Sequence, residues 1–146
     1  MDLTMNKDLI MNKTNSLALL ASRLLMSLIF VAAGASKLAN FAGTQTYMES
    51  MGVPGFLLPL VIFTELGGGL AILVGYKVRF VSVLLAGFCV VSGAIFHRDF
   101  SDQTHMIMFM KNMAIAGGFL SLFVSGAGPI SLDAKLQATD EPSLRA

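Results

Sequence analysis

Charge is scarce in this chain. Only 13% of its 146 residues are Asp, Glu, Lys or Arg, while 55% are hydrophobic and the mean hydropathy is +0.73. An ordinary soluble domain carries about 25% charged residues, so water is not the main solvent of this protein. The few Lys and Arg are scattered and the net charge is +1, which leaves no basic stripe and excludes a nucleic-acid partner. Cysteine is nearly absent too. Cys89 alone cannot form an internal disulfide, a CxxC redox pair or the cysteine set of an iron–sulfur cluster. The two histidines, His97 and His105, lie at one membrane edge, so bis-histidine haem is not expected. With Asp99 and Asp102 they match no defined ligand spacing, and no metal site is expected either. No Ser-His-Asp, HExxH or haem-attachment pattern is present, so no catalytic residue is assigned.

What the chain does have is long apolar runs. They extend from about Ser16 to Leu38, Gly55 to Tyr76, Phe80 to Phe96 and Met106 to Gly128. Each approaches the roughly 20 residues needed to cross a bilayer and is too uniformly apolar for the one-sided stripe of a soluble helix. The short connectors predict an all-α membrane protein, a four-transmembrane-helix bundle running up-down-up-down. Residues 1–15 and 131–146 form short tails around one transmembrane domain, 16–130, with the last segment polar and loose. Lys7 and Lys13 precede the first span, Lys77 and Arg79 make the turn between the second and third, and Lys135 and Arg145 follow the fourth. That bias places both termini in the cytoplasm. A competing reading of the start as a cleaved signal peptide, with Ala33-Gly34-Ala35 as its small-residue site, would leave three spans against the charge bias. The first span is therefore read as retained. Between Asn40 and Pro54, Asn40 is a capping candidate and Phe41, Tyr47, Met48 and Met51 suggest a short interfacial helix. Pro59 suits a first helical turn, where no N–H bond is lost.

A charge at the bilayer centre costs at least about 2.5 kcal/mol, so ionisable residues inside spans need a partner, a watered cavity or a task. The candidates are Arg23, Glu65 and Lys111 with the amide Asn112, and Lys37 and His97 at span ends. At about 1.5 Å per residue, Glu65 lies about 15 Å deep, near the midplane, and within vertical reach of Arg23 or Lys111. Arg23 and Lys37 taken singly also fit snorkelling to the headgroups. Two readings of the cluster stand: one polar ligand pocket opening outward, or a structural ion pair that fixes which helices are neighbours. Gly68 and Gly69 fall on the same face as Glu65, and with Gly34, Gly117 and Gly118 they read as helix-packing positions. Cys89 reads as a small buried packing residue, and the methionines at 106, 108, 110 and 113 as flexible packing or lipid-facing groups.

A family resemblance rests on Arg23-Leu24-Leu25 leading to Ile29-Phe30-Val31-Ala32-Ala33-Gly34 and Lys37-Leu38, then Gly52-Val53-Pro54, Glu65-Leu66-Gly67-Gly68-Gly69, Leu73-Val74-Gly75 and Phe109-Met110-Lys111-Asn112. The chain resembles the DoxX family from about Leu17 to Leu136. The resemblance implies a bacterial inner membrane protein in which Arg23, Glu65, Lys111 and Asn112 occupy the family's polar positions. It also implies an association with redox or detoxification chemistry, quinone as the cofactor class, and a membrane or soluble oxidoreductase as partner. From another class come non-enzymatic binding, transport or assembly, where transport by so small a bundle would call for a homodimer. The chain carries no electron carrier of its own, so enzyme status stays open.

Overall fold

The computed structural model describes residues 3–140, with side chains from residue 11 to 139. Of the residues counted above for orientation, Arg145 and the Lys7 side chain lie outside that range. Six α-helices and one 3-10 turn follow in order: α1 Leu3–Ala39, α2 Phe41–Ser50, the turn Gly55–Leu57, α3 Leu58–Val74, α4 Val78–Phe96, α5 Gln103–Ser125 and α6 Leu132–Asp140. Among the described residues four segments are long and apolar enough to cross a membrane: Met11–Ala39, Gly55–Val74, Val78–Phe96 and Gln103–Ser125. At most 33% of any span's apolar window is buried within the bundle. Leu25 and Phe63 are 70% and 74% exposed in mid-span, so the bundle itself does not cover these apolar faces, as suits a chain that lies in lipid.

The local chemistry accounts for the ends. Pro59 sits in the first turn of α3, where it forfeits no hydrogen bond. The helix closes at Gly75, whose φ of 77° is the left-handed conformation that glycine adopts without strain. Tyr76 N–H donates back to Ala71 O at 2.8 Å, the 6→1 bond of a Schellman end. Asp102 caps α5, accepting from the N–H groups of Thr104 (2.7 Å) and His105 (3.1 Å). Asn40 does not cap α2 through its side chain; its carbonyl accepts instead from Thr44 N and Oγ1.

Contacts between α1 and α3 run antiparallel, consistent with an up-down order. Lys37 meets Glu65, Gly34 faces Leu66, Phe30 and Val31 face Gly69, and Arg23 lies against Gly75, so positions rise along α1 as they fall along α3. A Cβ at Gly34 would stand 2.7 Å from Leu66 Cγ, and one at Gly68 2.9 Å from Leu85 of α4. Glycine lets these backbones approach. Gly93 packs on Asn112 of α5, and Gly118 on Met26 of α1, which closes the ring of four. Gly117, by contrast, has nothing within 4 Å and faces outward. Phe30 stands edge-on to Phe88 (6.3 Å) and Phe119 (5.2 Å) at the centre.

The stretch after Ser131 is not loose up to residue 140. Ser131 Oγ accepts the Ala134 N–H at 3.1 Å and starts α6. Asp133, in its first turn, reaches across to accept from the N–H groups of Lys77 (2.7 Å) and Val78 (3.0 Å) at the start of α4, while its own N–H donates to Gly75 O at 2.9 Å. The turn between α3 and α4 is thus held by a residue more than fifty positions downstream.

Candidate functional site

Glu65 is 5% exposed, in the middle of the second span. Its partner is Lys37. The Lys37 Nζ lies 2.8 Å from each carboxylate oxygen, but only Oε1 receives it at a hydrogen-bonding angle, so Oε2 keeps an unused lone pair shielded from solvent. The expectation that Glu65 meets Arg23 or Lys111 is therefore corrected. Depth alone put Arg23 and Lys111 within vertical reach and left Lys37 at the span end, but the antiparallel register of α1 on α3 puts Lys37 at the level of Glu65 and Arg23 some four helical turns away along α1.

Arg23 has a different place. It is 1% exposed, donates from Nη2 to Ile130 O at 2.6 Å, and packs against Gly75, where an added Cβ would run into its Nη1. It does not snorkel; it ties α1 to the α3–α4 turn and to the segment before α6. Lys111 is exposed on the outer face of α5, away from the Glu65 carboxylate. Asn112 is half-buried against Gly93 and donates to Met108 O of its own helix at 3.0 Å.

Two cavities flank Glu65. The larger, about 430 Å³, opens between α2, α3 and α4. Its wall is mainly apolar, from Met48, Leu57, Leu60, Val61, Phe88, Val91 and Ile95, and its polar groups are Lys37, Thr44, Tyr47, Thr64, Glu65, Ser92 and His97. The smaller, about 190 Å³, lies between α1, α4 and α5 and reaches Cys89 and Asn112. Glu65, Phe88, Ser92 and His97 border both. Helix α2 roofs the larger space: its Met48 packs on Leu58 and Ile62, and Tyr47 stacks on Phe96 at 5.6 Å and 24°. His97 stands at the end of α4 with its ring 5.7 Å from that of His105. Burial, and then the neighbouring His105, hold His97 below the ordinary histidine value. On the loop beyond, Ser101 holds Asp99 below the usual carboxylate range, and the His105 and Thr104 N–H groups do the same for Asp102. Among the described residues no three His, Cys, Asp or Glu side chains gather into a metal-binding group.

Of the expected pocket residues, the structure brings together Glu65, Lys37 and His97 around both or one of these cavities, with Asn112 at the smaller, and leaves Arg23 and Lys111 outside. Sequence reasoning missed the roof from α2 and the hydroxyls of Thr44, Thr64 and Ser92. Gly34, one turn before Lys37, and Gly69, one turn after Glu65, mark where α1 and α3 approach, but nothing in the sequence pairs those two faces with each other.

A chain of this architecture can be compared with known proteins. The DoxX family model matches residues 18–98. Inner membrane protein YqjF of Escherichia coli (strain K12) is 48% identical over 123 residues, covering 84% of this chain and 95% of that protein. Inner membrane protein YphA of the same organism is 37% identical over 123 residues, covering 79% and 87%. CatD of Bacillus subtilis (strain 168), provisionally named an oxidoreductase, is 34% identical over 76 residues, covering 52% and 57%. No solved structure matches. With a family model spanning more than half of its length, a near full-length inner membrane relative and four apolar spans, this chain is a multi-pass inner membrane protein and belongs to the DoxX family.

Proposed function

We propose that the cavity beside Glu65 binds a small amphipathic molecule of quinone-like class, and that the protein is a membrane subunit serving redox or detoxification chemistry. The observation that carries this reading is a nearly buried carboxylate bordering a cavity of about 430 Å³, whose Oε2 meets Lys37 as an ion pair at 2.8 Å but takes no well-aimed hydrogen bond among the described residues; the volume is within the size range of small-molecule sites. The Lys37 cation already offsets the charge at Oε2, and a ligand hydroxyl would add the directed hydrogen bond it lacks. Lys37 Nζ, 28% exposed at its side chain, has N–H bonds left over for a ligand carbonyl. Apolar walls hold the ring, and the α2 roof with the Tyr47–Phe96 stack excludes water. Glu65 then accepts or returns a proton at Oε2, with Lys37 holding the carboxylate in place. Bound, a quinone would supply the two-electron chemistry that the chain's own residues lack; electrons would come from a partner oxidoreductase. The name of CatD supports that association.

The second reading, a binding or assembly module in which Lys37–Glu65 is a register device, is favoured by the closeness of α1 and α3 around Gly34 and Gly69. Native mass spectrometry and thermal shift in mild detergent separate the two, using a short-chain quinone and its quinol as probes with wild type and Glu65→Gln. Ligand retained by wild type and lost from a folded Glu65→Gln supports the pocket. Identical binding to both refutes it, and lost stability with no binding to either assigns the pair to structure.

A further inference from the structure

The opposite end of the bundle carries a second, more polar cleft of about 680 Å³, bordered by the α3–α4 turn, the end of α5 and α6. Lys77 and Arg79 line it from one side, Ser125 and Ser131 from another, and Gln137 closes it from α6. Among the described residues neither cationic head is paired with an acid: Lys77 Nζ lies 5.5 Å from the Tyr76 ring centroid, and Arg79 rests over Gly126, where an added Cβ would be 3.4 Å from its Nε. The acid in the cleft is Asp133. Both of its oxygens are taken by the N–H groups of Lys77 and Val78, and its charge also faces the buried Arg23. The cleft is therefore net positive, with two unshared cationic heads about a polar floor.

Its rim is apolar. Phe80 borders the cleft and is 65% exposed, and Ile130 and Leu132, on either side of the lining residue Ser131, are 49% and 38% exposed. These lie where the spans α4 and α5 end, at headgroup depth, so apolar chains and a charged group meet there. A soluble anion needs the cations alone; a lipid uses both features.

We infer that this cleft holds the phosphodiester of an anionic phospholipid, with Lys77 and Arg79 on its oxygens and the acyl chains along Phe80 and Ile130. Lys and Arg are suited to this, Arg by its planar fork of donors and Lys as a point charge. The rival is that Arg79 serves only the carbonyl end of α5, favourable to a cation through the helix dipole. That role would affect stability and not lipid choice.

The test is lipid exchange into nanodiscs containing equal phosphatidylglycerol and phosphatidylethanolamine, read by native mass spectrometry of the released complex. Wild type should retain phosphatidylglycerol over phosphatidylethanolamine by about tenfold or more, and the double variant K77Q/R79Q should fall to near parity, given about fivefold per basic residue near an anionic surface. Lys77→Gln alone, at an exposed side chain, should lose about half of that preference on a logarithmic scale and guards against a fold defect in the double variant. Lys111→Gln should retain the full preference. Parity in wild type, or a preference unchanged in K77Q/R79Q, overturns the inference. Displacement of the lipid by inorganic phosphate also overturns it, by making the occupant a soluble anion.

Discussion

Replacing Lys37 by Met and Glu65 by Gln, singly and together, reads the ion pair directly. The two partners are unequal: the Glu65 side chain is 7% exposed and the Lys37 side chain 28%. Lys37 also lies two residues before the end of α1, so without Glu65 its flexible stem can carry the ammonium toward the headgroups. Glu65 has no such escape. Lys37→Met leaves a carboxylate in mid-span beside Phe88 and Cys89 without its cation, and should destabilise by roughly 3 kcal/mol, the low end for breaking a buried pair. Glu65→Gln keeps the volume and one acceptor and should cost roughly 1 kcal/mol. The double variant should lie closer to wild type than the two losses added together, because it leaves neither charge stranded; a coupling of about 1 to 3 kcal/mol is expected. The assay is reversible unfolding in mixed micelles with increasing SDS, followed by far-ultraviolet circular dichroism. Additive single effects, or a larger loss for Glu65→Gln than for Lys37→Met, would refute the reasoning.

Gly34→Ala should destabilise by about 1 to 3 kcal/mol in the same assay, since the new methyl would press on Leu66 Cγ and its backbone N, whereas Gly117→Ala, with open space around it, should be neutral or stabilising by up to about 1 kcal/mol. At the loop between α4 and α5 the pH dependence has a fixed sign. His97 is held below its ordinary value when folded, so the unfolded chain binds more protons there; stability rises with pH through that window and is lost as pH falls through the folded value. Asp102 is also depressed, so its cap is intact above the usual carboxylate range and lost below it. Nuclear magnetic resonance titration of the His97 ring should give a midpoint below that of a free histidine, and a midpoint at or above it would contradict the burial argument. For orientation, a reporter active only in the periplasm and fused after Ala146 should be silent, as the basic residues Lys77, Arg79 and Lys135 predict; activity would reverse the bundle.

The residues differ in how much of their surroundings the sequence announces. The second span and its Pro59 start were readable, because each depends on local chemistry, apolar length and a ring without an N–H; the apolar run to Tyr76 did not mark the left-handed stop at Gly75. That Glu65 needed a partner was readable too, from the cost of a bare charge in hydrocarbon. Which partner was not. Depth along a helix is one coordinate, and it favoured Arg23 and Lys111 over Lys37; the rotation and register of one helix on another are set by where glycines let backbones touch. Likewise Ser131 and Asp133 looked like the start of a polar tail, and only their meeting with Gly75, Lys77 and Val78 makes them a clamp on the α3–α4 turn.

The sequence by itself determined the solvent, the count of spans and the presence of buried charge, since these follow from the free energy of transferring each residue into lipid, summed locally along the chain. Tertiary structure alone decided that Lys37 and not Arg23 or Lys111 faces Glu65, that α2 roofs a cavity beside it, and that Arg23 and Asp133 organise the opposite end. Those outcomes depend on contacts between residues up to 107 positions apart, and close packing, unlike hydropathy, is a property of pairs of surfaces and not of residues taken in order.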